Sequence, residues 1–382
     1  MTITSVRVAR RSPRTLKVCA LIVVCGLAVV AFDAHYRFFD MVIYHDAIRW
    51  WIDGGDLYGY AAPVRGRLGF TYPPFAALLL LPVAAVPAAV AGWLNVVSGT
   101  AALAVVLAAV RHGRSWPAVL AVALPLALLT EPVRQTLGFG QVNLALMALV
   151  VVDLGVLRGS RSTGVGVGIA TAVKLTPGLF LVYLLVTRQW RALWTATGTV
   201  AVLTAGGFLI APEESKLYFG HLLWQTDRVG AAGALANQSL AGLFARVAAP
   251  TSWWFAAALV IVVIGLRRAR TAHLAGDEIA ALTLVGLTAN LISPMSWTHH
   301  LVFLPVALLI VADVARRTRD PLPAAAALAG YALSVVAPIW FVPDHLVGVP
   351  ALLLRNTFTL MLAALVVAMP HRGEAFRPAR FL

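Results

Sequence analysis

FFDMVIYHDAIRWWIDGGDLYGYAAPVRGRLGFTYPP, residues 38–74, is a polar and aromatic stretch set between long apolar runs. It holds Asp40, Asp46, Asp53 and Asp56, four of the sixteen acidic residues in the chain, beside His45, Arg49, Arg65 and Arg67. Leu16–Phe32 upstream is apolar, and apolar residues continue from Phe75 to Val110 downstream. With those runs crossing a bilayer, the stretch becomes a loop pressed onto the membrane surface. Carboxylates, cations and aromatic faces in one loop suit the handling of a sugar beside a lipid phosphate.

The composition supports the membrane setting. Of 382 residues, 60% are hydrophobic and 12% charged, against about 25% charged in an average soluble domain. A mean hydropathy of +0.85 leaves too little polar surface for a water-soluble protein of this size. The net charge of +14 would suit a nucleic-acid binder, but the positions of the charges exclude that class. Arg7, Arg10, Arg11 and Arg14 precede the first apolar run, and Lys17 stands at its start. Others cluster at Arg111/Arg114, Arg158/Arg161, Arg188/Arg191, Arg267/Arg268/Arg270 and Arg316/Arg317/Arg319, with Arg372 and Arg380 in the tail. Short basic loops between apolar runs mark cytoplasmic connections. No small-residue cleavage site follows the first run, so it is expected to be a signal anchor. Cys19 and Cys25 lie within it and are expected to pack.

A crossing needs about 20 apolar residues. With basic loops inside, the chain predicts an all-α polytopic membrane protein of ten to twelve transmembrane helices, both termini cytoplasmic, in one integral-membrane domain, 1–382. Residues 1–16 form a basic cytoplasmic terminus, 35–72 the first extracytoplasmic loop, 212–239 a second, and 370–382 a cytoplasmic tail. Phe75–Val110, with Pro82 and Pro87 inside, is long for one crossing and short for three, so a half-span or surface helix is expected there. Glu131–Gly140 is expected to be a short outer loop. Thr163–Thr187 begins and ends at basic loops, and holds either two short crossings or a re-entrant hairpin with Lys174 near its middle. On this map Asp40, Gln141, Asn143, Asn237, Gln238, His299, His300, Asp344 and His345 all fall at outer ends of spans.

Several motifs carry polar groups suited to chemistry. Asp40 and Tyr44 share a face if the loop opens as an interfacial helix. A carboxylate among apolar neighbours has a raised pKa and can act as a general base, the alternative being a cap or a solvated acid. Phe70-Thr-Tyr-Pro-Pro74 closes the loop and holds Tyr72 at the interface, either as a site residue or as part of an aromatic belt. Gly140-Gln-Val-Asn143 and Asn237-Gln-Ser-Leu240 place carboxamides at span mouths, able to bind sugar hydroxyls or to cap helices. Ser293-Pro-Met-Ser-Trp-Thr-His-His300 offers Trp297 as a platform for a sugar ring and two histidines for a phosphate. Adjacent histidines on a helix point about 100° apart, which disfavours a shared metal. Lys174, in Lys174-Leu-Thr-Pro177, is an ionisable residue in an apolar segment: a functional group by default, or one snorkelling to the inner interface.

Taken in order, Asp40-x-x-x-Tyr44, Phe70–Pro74, Gly140–Asn143, Lys174–Pro177, Asn237–Leu240 and Ser293–His300 resemble the polyprenol-phosphate-mannose-dependent α-1,2-mannosyltransferases of actinobacterial envelopes. These are integral-membrane enzymes of GT-C architecture in glycosyltransferase family 87. The resemblance covers about residues 38–305. It implies inverting transfer of mannose from polyprenyl-phosphate mannose to the 2-hydroxyl of a mannose in an envelope glycolipid. The acceptor is a phosphatidylinositol mannoside, or lipomannan or lipoarabinomannan being branched, with branching the favoured expectation. It further implies a catalytic first extracytoplasmic loop in the plasma membrane, with Asp40 as the base. The departing phosphate then needs cations or donors, for which His299, His300, Lys174, Arg49, Arg65 and Arg67 are candidates. Tyr44, Asp46, Tyr72, Gln141, Asn143, Asn237, Gln238 and Trp297 are candidates for sugar or acceptor contacts. No cofactor, metal or nucleic acid is expected; the partners are the lipid donor, the mannolipid acceptor and membrane lipids, and the enzyme is expected to be a monomer. The alternatives are a related transferase of another lipid-phosphate sugar such as arabinose, and a lipid or sugar transporter. The transporter predicts mid-bilayer charges and an internal repeat, and no repeat is visible.

Overall fold

The computed structural model describes residues 36–63, 68–110, 116–343 and 345–372. The first apolar run with Cys19 and Cys25, Arg65, Arg67, Arg111, Arg114, Asp344 and Arg380 lie outside the described residues. Among those described the chain forms seventeen α-helices, and its only β-type pairing is a single bridge between Asn237 and Trp297.

Ala88–Val110, Trp190–Ile210 and Thr251–Leu274 are each long and apolar enough to cross a membrane. Two more stretches reach that length only as bent pairs: Glu131–Phe139 with Asn143–Val156 at 116°, and Gly348–Arg355 with Thr357–Ala368 at 72°. Pro74–Ala84, Thr176–Val186, Glu278–Ile292 and Pro321–Val336 are shorter apolar helices. The described residues thus supply three long crossings, or five with the bent pairs, where the apolar runs suggested ten to twelve for the whole chain. Hydropathy averages over the interruptions that shorten these helices, among them Pro82 and Pro125 inside helices and the break at Lys174. The run from Phe75 to Val110 splits at residues 85–87 into a short helix and a long one. Glu131–Gly140 is not the loop expected from its polarity but a mostly buried helix, started by Pro132 in its first turn.

At the centre stands Glu278–Ile292, fourteen of whose fifteen residues are buried. Lipid tails are as apolar as these side chains, so close packing rather than escape from water holds such a helix in place. Gly286 makes that approach possible, since a Cβ there would lie 2.3 Å from the Phe303 ring. At one end Asp277 caps the helix, accepting from the Ala280 N–H at 3.2 Å, and pairs with Arg372 at 2.6 Å. Arg372 therefore belongs to the packed body; its guanidinium also donates to the Val110 carbonyl at 3.1 Å. The other end of the helix, at Ala289 and Ile292, reaches the wall of a large cavity.

Candidate active site

The cavity encloses about 880 Å³, and Asp40, Tyr44, Tyr72, Gln141, Lys174, Trp297, His299 and His300 all form part of its wall. These residues come from five separate segment ends.

Asp40 lies in the first turn of Phe39–Ile52. The chain enters that helix through Arg37 and Phe38, both in the left-handed region at φ 49° and 54°, a conformation disfavoured for residues with a Cβ. The Phe38 N–H donates to the Gly138 carbonyl at 3.0 Å, which ties the turn to the elbow of the first bent pair. That elbow needs a glycine. Gly140 has φ 73°, and a Cβ on it would sit 2.5 Å from the Met41 side chain. The Gln141 N–H folds back onto the Thr136 carbonyl at 2.8 Å in a helix-ending loop. Gln141 is thereby pressed against the Asp40 helix. Its Nε2 donates to Asp40 Oδ2 at 2.7 Å, and its Oε1 accepts from the Tyr72 hydroxyl, which fixes the amide orientation.

Asp40 is thus held by a neutral donor, not by an ion pair. It is only half-buried, because its free side opens to the cavity, but protein surrounds that cavity. Desolvation pushes its carboxyl up to about 6, against the opposing pull of the Gln141 hydrogen bond and the Lys174 ammonium.

Lys174 ends the helix Val165–Val173, where the backbone turns extended. Its Nζ donates to Asn143 Oδ1 at 2.8 Å and lies 5.4 Å from the centre of the Tyr72 ring. It stands at the cavity and does not snorkel to the opposite face. The segment Thr163–Thr187 is helical on both sides of this break, over Val165–Val173 and Thr176–Val186. Asn143 also donates to the His299 carbonyl at 2.9 Å, so one carboxamide joins the lysine to the histidine turn.

His299 and His300 sit in the turn Thr298–His300. Thr136 and Asn143 hold the His299 carbonyl, Asn290 holds that of His300 at 3.3 Å, and the Thr298 hydroxyl donates to Gln135. The His299 ring meets the Phe139 ring edge-on at 5.2 Å and the His300 ring at 4.6 Å. Its Nε2 is buried with no hydrogen-bond partner in the protein. Desolvation first, then the Lys174 charge, hold both imidazoles well below their usual range, with a Met295 hydrogen bond opposing at His300. Both are thereby biased towards the neutral form.

Other candidates lie elsewhere. Arg49 is exposed and off the cavity wall. Asp46 also lies off that wall, bonded to His45 Nδ1 at 2.8 Å, and the other His45 nitrogen meets the Val86 carbonyl at 3.0 Å. Asn237 and Gln238 are fully buried and taken up by the protein itself. Asn237 Nδ2 donates to the Ala232 and Pro294 carbonyls at 2.9 and 3.1 Å, and its Oδ1 accepts from the Ser296 N–H at 2.9 Å. Gln238 donates to the Leu235 and Arg355 carbonyls at 2.7 and 2.9 Å and accepts from the Thr359 N–H at 3.2 Å. These two amides hold the Ser293–His300 turn and the chain near Asn356 in place, with no donor left for a sugar hydroxyl.

The structure adds residues that the sequence did not bring forward. Glu131 accepts from Gln135 Nε2 and from Trp340 Nε1, both at 2.6 Å, and Gln135 in turn accepts from Thr298. This chain of bonds braces the histidine turn, and Gln135 and Trp340 line the cavity. Glu131 in an apolar neighbourhood was the available signal. The second polar segment braces the first: Trp51 donates to Glu214 at 2.7 Å, Tyr58 stacks on Tyr218 at 5.6 Å, and Arg228 donates to the Phe70 carbonyl at 3.2 Å. Among the described residues no group of three or more His, Cys, Asp or Glu is arranged to hold a metal ion.

Comparison with known proteins places this site in context. The profile of glycosyltransferase family 87 matches residues 70–294. The chain is 36% identical over 369 residues to a polyprenol-phosphate-mannose-dependent alpha-(1-2)-phosphatidylinositol mannoside mannosyltransferase of Mycobacterium tuberculosis, covering 88% of this chain and 86% of the relative. It is 32% identical to the Mycolicibacterium smegmatis protein of the same name, covering 80% and 77%. A polyprenol-phosphate-mannose-dependent alpha-(1-2)-phosphatidylinositol pentamannoside mannosyltransferase of M. smegmatis is 31% identical, covering 78% and 75%. No solved structure matches the chain.

Proposed function

Since the chain belongs to glycosyltransferase family 87, we propose that it transfers mannose from polyprenyl-phosphate mannose to the 2-hydroxyl of a mannose on a phosphatidylinositol-anchored mannoside. The donor and this acceptor class are those in the names of the relatives, two of which act on a phosphatidylinositol mannoside and one on a pentamannoside. Extension of the same anchor into lipomannan would present the same 2-hydroxyl. The observation that carries the chemistry is Asp40: a cavity-facing carboxylate with one neutral donor, close enough to Lys174 for their charges to interact.

The reaction inverts the anomeric carbon and needs one base. The acceptor oxygen attacks C1 of the donor mannose as the bond from C1 to the phosphate oxygen breaks. The hydroxyl proton passes to Asp40, and polyprenyl phosphate departs. A pKa of about 6 leaves the carboxylate ionised at neutral pH and still basic enough to take that proton. Charge developing on the phosphate is met by the Lys174 ammonium and the His299 imidazole, both on the cavity wall. Trp297, partly exposed on the cavity wall, offers a face for a sugar ring. The distribution of basic loops in the sequence supports an extracytoplasmic site.

Purified wild type and Asp40→Asn, given radiolabelled polyprenyl-phosphate mannose and either a phosphatidylinositol mannoside or a synthetic α-1,6 mannoside, test this. The expected outcome is labelled α-1,2 product on the phosphatidylinositol mannoside, none from the folded variant. Transfer only to the synthetic mannoside moves the acceptor to an extended mannan. Labelling from polyprenyl-phosphate arabinose but not mannose overturns the donor.

A further inference from the structure

We propose that the helix Thr176–Val186 carries the groove for the isoprenoid chain of the lipid donor; this rests on the donor class proposed above. Leu175, Leu179 and Val182 all line the cavity. Leu179 and Val182, three residues apart, share one face of the helix, and Leu175 stands immediately ahead of it. Leu175 and Val182 are also 40% and 39% exposed. Residues that line a cavity and still face outward mark a side where the cavity opens, here along the flank of an apolar helix. Ala289 and Ile292 of the central helix supply further apolar cavity wall, and Leu185, 46% exposed, lies one turn further on.

What fixes the occupant is the residue at the head of these side chains. Lys174 directly precedes Leu175, and its ammonium stands on the cavity wall, held by Asn143 and beside Tyr72. A cation followed by about 10 Å of apolar helix face matches a phosphate monoester followed by its first isoprene units. The sugar-binding face of Trp297 and the Asp40 carboxylate lie on the same cavity wall. The phosphate at Lys174 therefore leaves the sugar within the cavity and the chain running out to the bilayer. An acyl chain of the acceptor lacks a phosphate adjacent to the reacting sugar and has no reason to start at this lysine.

Two measurements test the groove. The first compares a long-chain polyprenyl-phosphate mannose with a donor bearing a single isoprene unit, on wild type and Val182→Trp. The bulk of the indole should raise KM for the long donor at least about tenfold, the loss expected from two or so buried methylenes, and leave the short donor unchanged. An equal effect on both donors, or none on either, overturns the groove. The second uses polyprenyl phosphate, without sugar, carrying a diazirine on its first isoprene unit. Photolabel should fall on residues 175–186, and label confined to other helices overturns the proposal even if no mannose is ever transferred. Failure of transfer with both donors, alongside label on 175–186, would instead count against the proposed reaction.

Discussion

Two aspartates near opposite ends of one helix, Asp277 buried and Asp40 half-buried, are given opposite surroundings. Asp277 caps the start of Glu278–Ile292 and receives Arg372 through its backbone N–H, Nε and Nη2, at 2.8, 2.8 and 2.6 Å. Asp40 lies on the cavity that the far end of that helix reaches, and a single side-chain amide, Gln141, approaches it at 2.7 Å. The first carboxylate is neutralised and fully bonded, so its proton affinity is of no use to chemistry. The second is desolvated without a counter-ion in contact, with room beside it for a hydroxyl. Desolvation alone does not suit a carboxylate to the proposed role of base; desolvation with an unfilled partner position does.

Substitutions sharpen or break this contrast. The largest effect belongs to Asp40→Asn, which should lower transfer by roughly 10²–10⁴-fold, the usual worth of a general base. Stability should behave the other way. A carboxyl whose folded pKa is raised stabilises the fold when protonated and loses that contribution as pH rises through about 6. The variant should then melt no lower than wild type at pH 7.5, and a large drop in melting temperature would make Asp40 a structural residue. In the wild type, activity should fall as pH drops below about 6.

Asp277→Asn is the mirror experiment. It leaves the buried Arg372 without its counter-charge, an arrangement that costs about 3–5 kcal/mol. Denaturation should show that loss, while kcat/KM of the protein that remains folded stays at the wild-type value.

Gln141→Leu should act on Asp40 without removing it. The Gln141 hydrogen bond lowers the Asp40 pKa, so its loss should move the acid limb of the pH–activity profile to higher pH, with activity at pH 6 falling by about tenfold. An unmoved limb would show that Asp40 is not the titrating group.

Arg49→Ala should do least. The side chain is exposed and off the cavity, so stability should stay within about 0.5 kcal/mol and transfer should be unchanged. A strong loss of donor binding would bring the first loop over the cavity in a way this arrangement does not contain.

The carboxamides repeat the lesson on a smaller scale. In the sequence Gln141 and Asn237 look alike, each a polar residue beside a turn at the mouth of an apolar run. In three dimensions Gln141 gives its N–H group to Asp40. Asn237 gives its own to the main-chain carbonyls of Ala232, nearby in the chain, and of Pro294, 57 positions away. Nothing in the local sequence separates these fates, because each depends on what another segment presents.

By itself the sequence determined that this is a helical membrane protein and that six short motifs in order mark a glycosyltransferase of family 87. Those properties are sums over neighbouring residues: hydropathy over a span, basic charge over a loop, residue identity within a motif. Which of the marked residues face one another was decided only by tertiary structure. Asp40 meets Gln141 across 101 positions, Lys174 meets Asn143 across 31, and Thr298 meets Gln135 across 163. Folding brought Lys174 to the cavity, carried Arg49 and Asp46 away from it, and recruited Glu131 and Trp340 to brace the histidines. A hydrogen bond is satisfied or left open by atoms within about 3 Å, and chain order does not encode that distance.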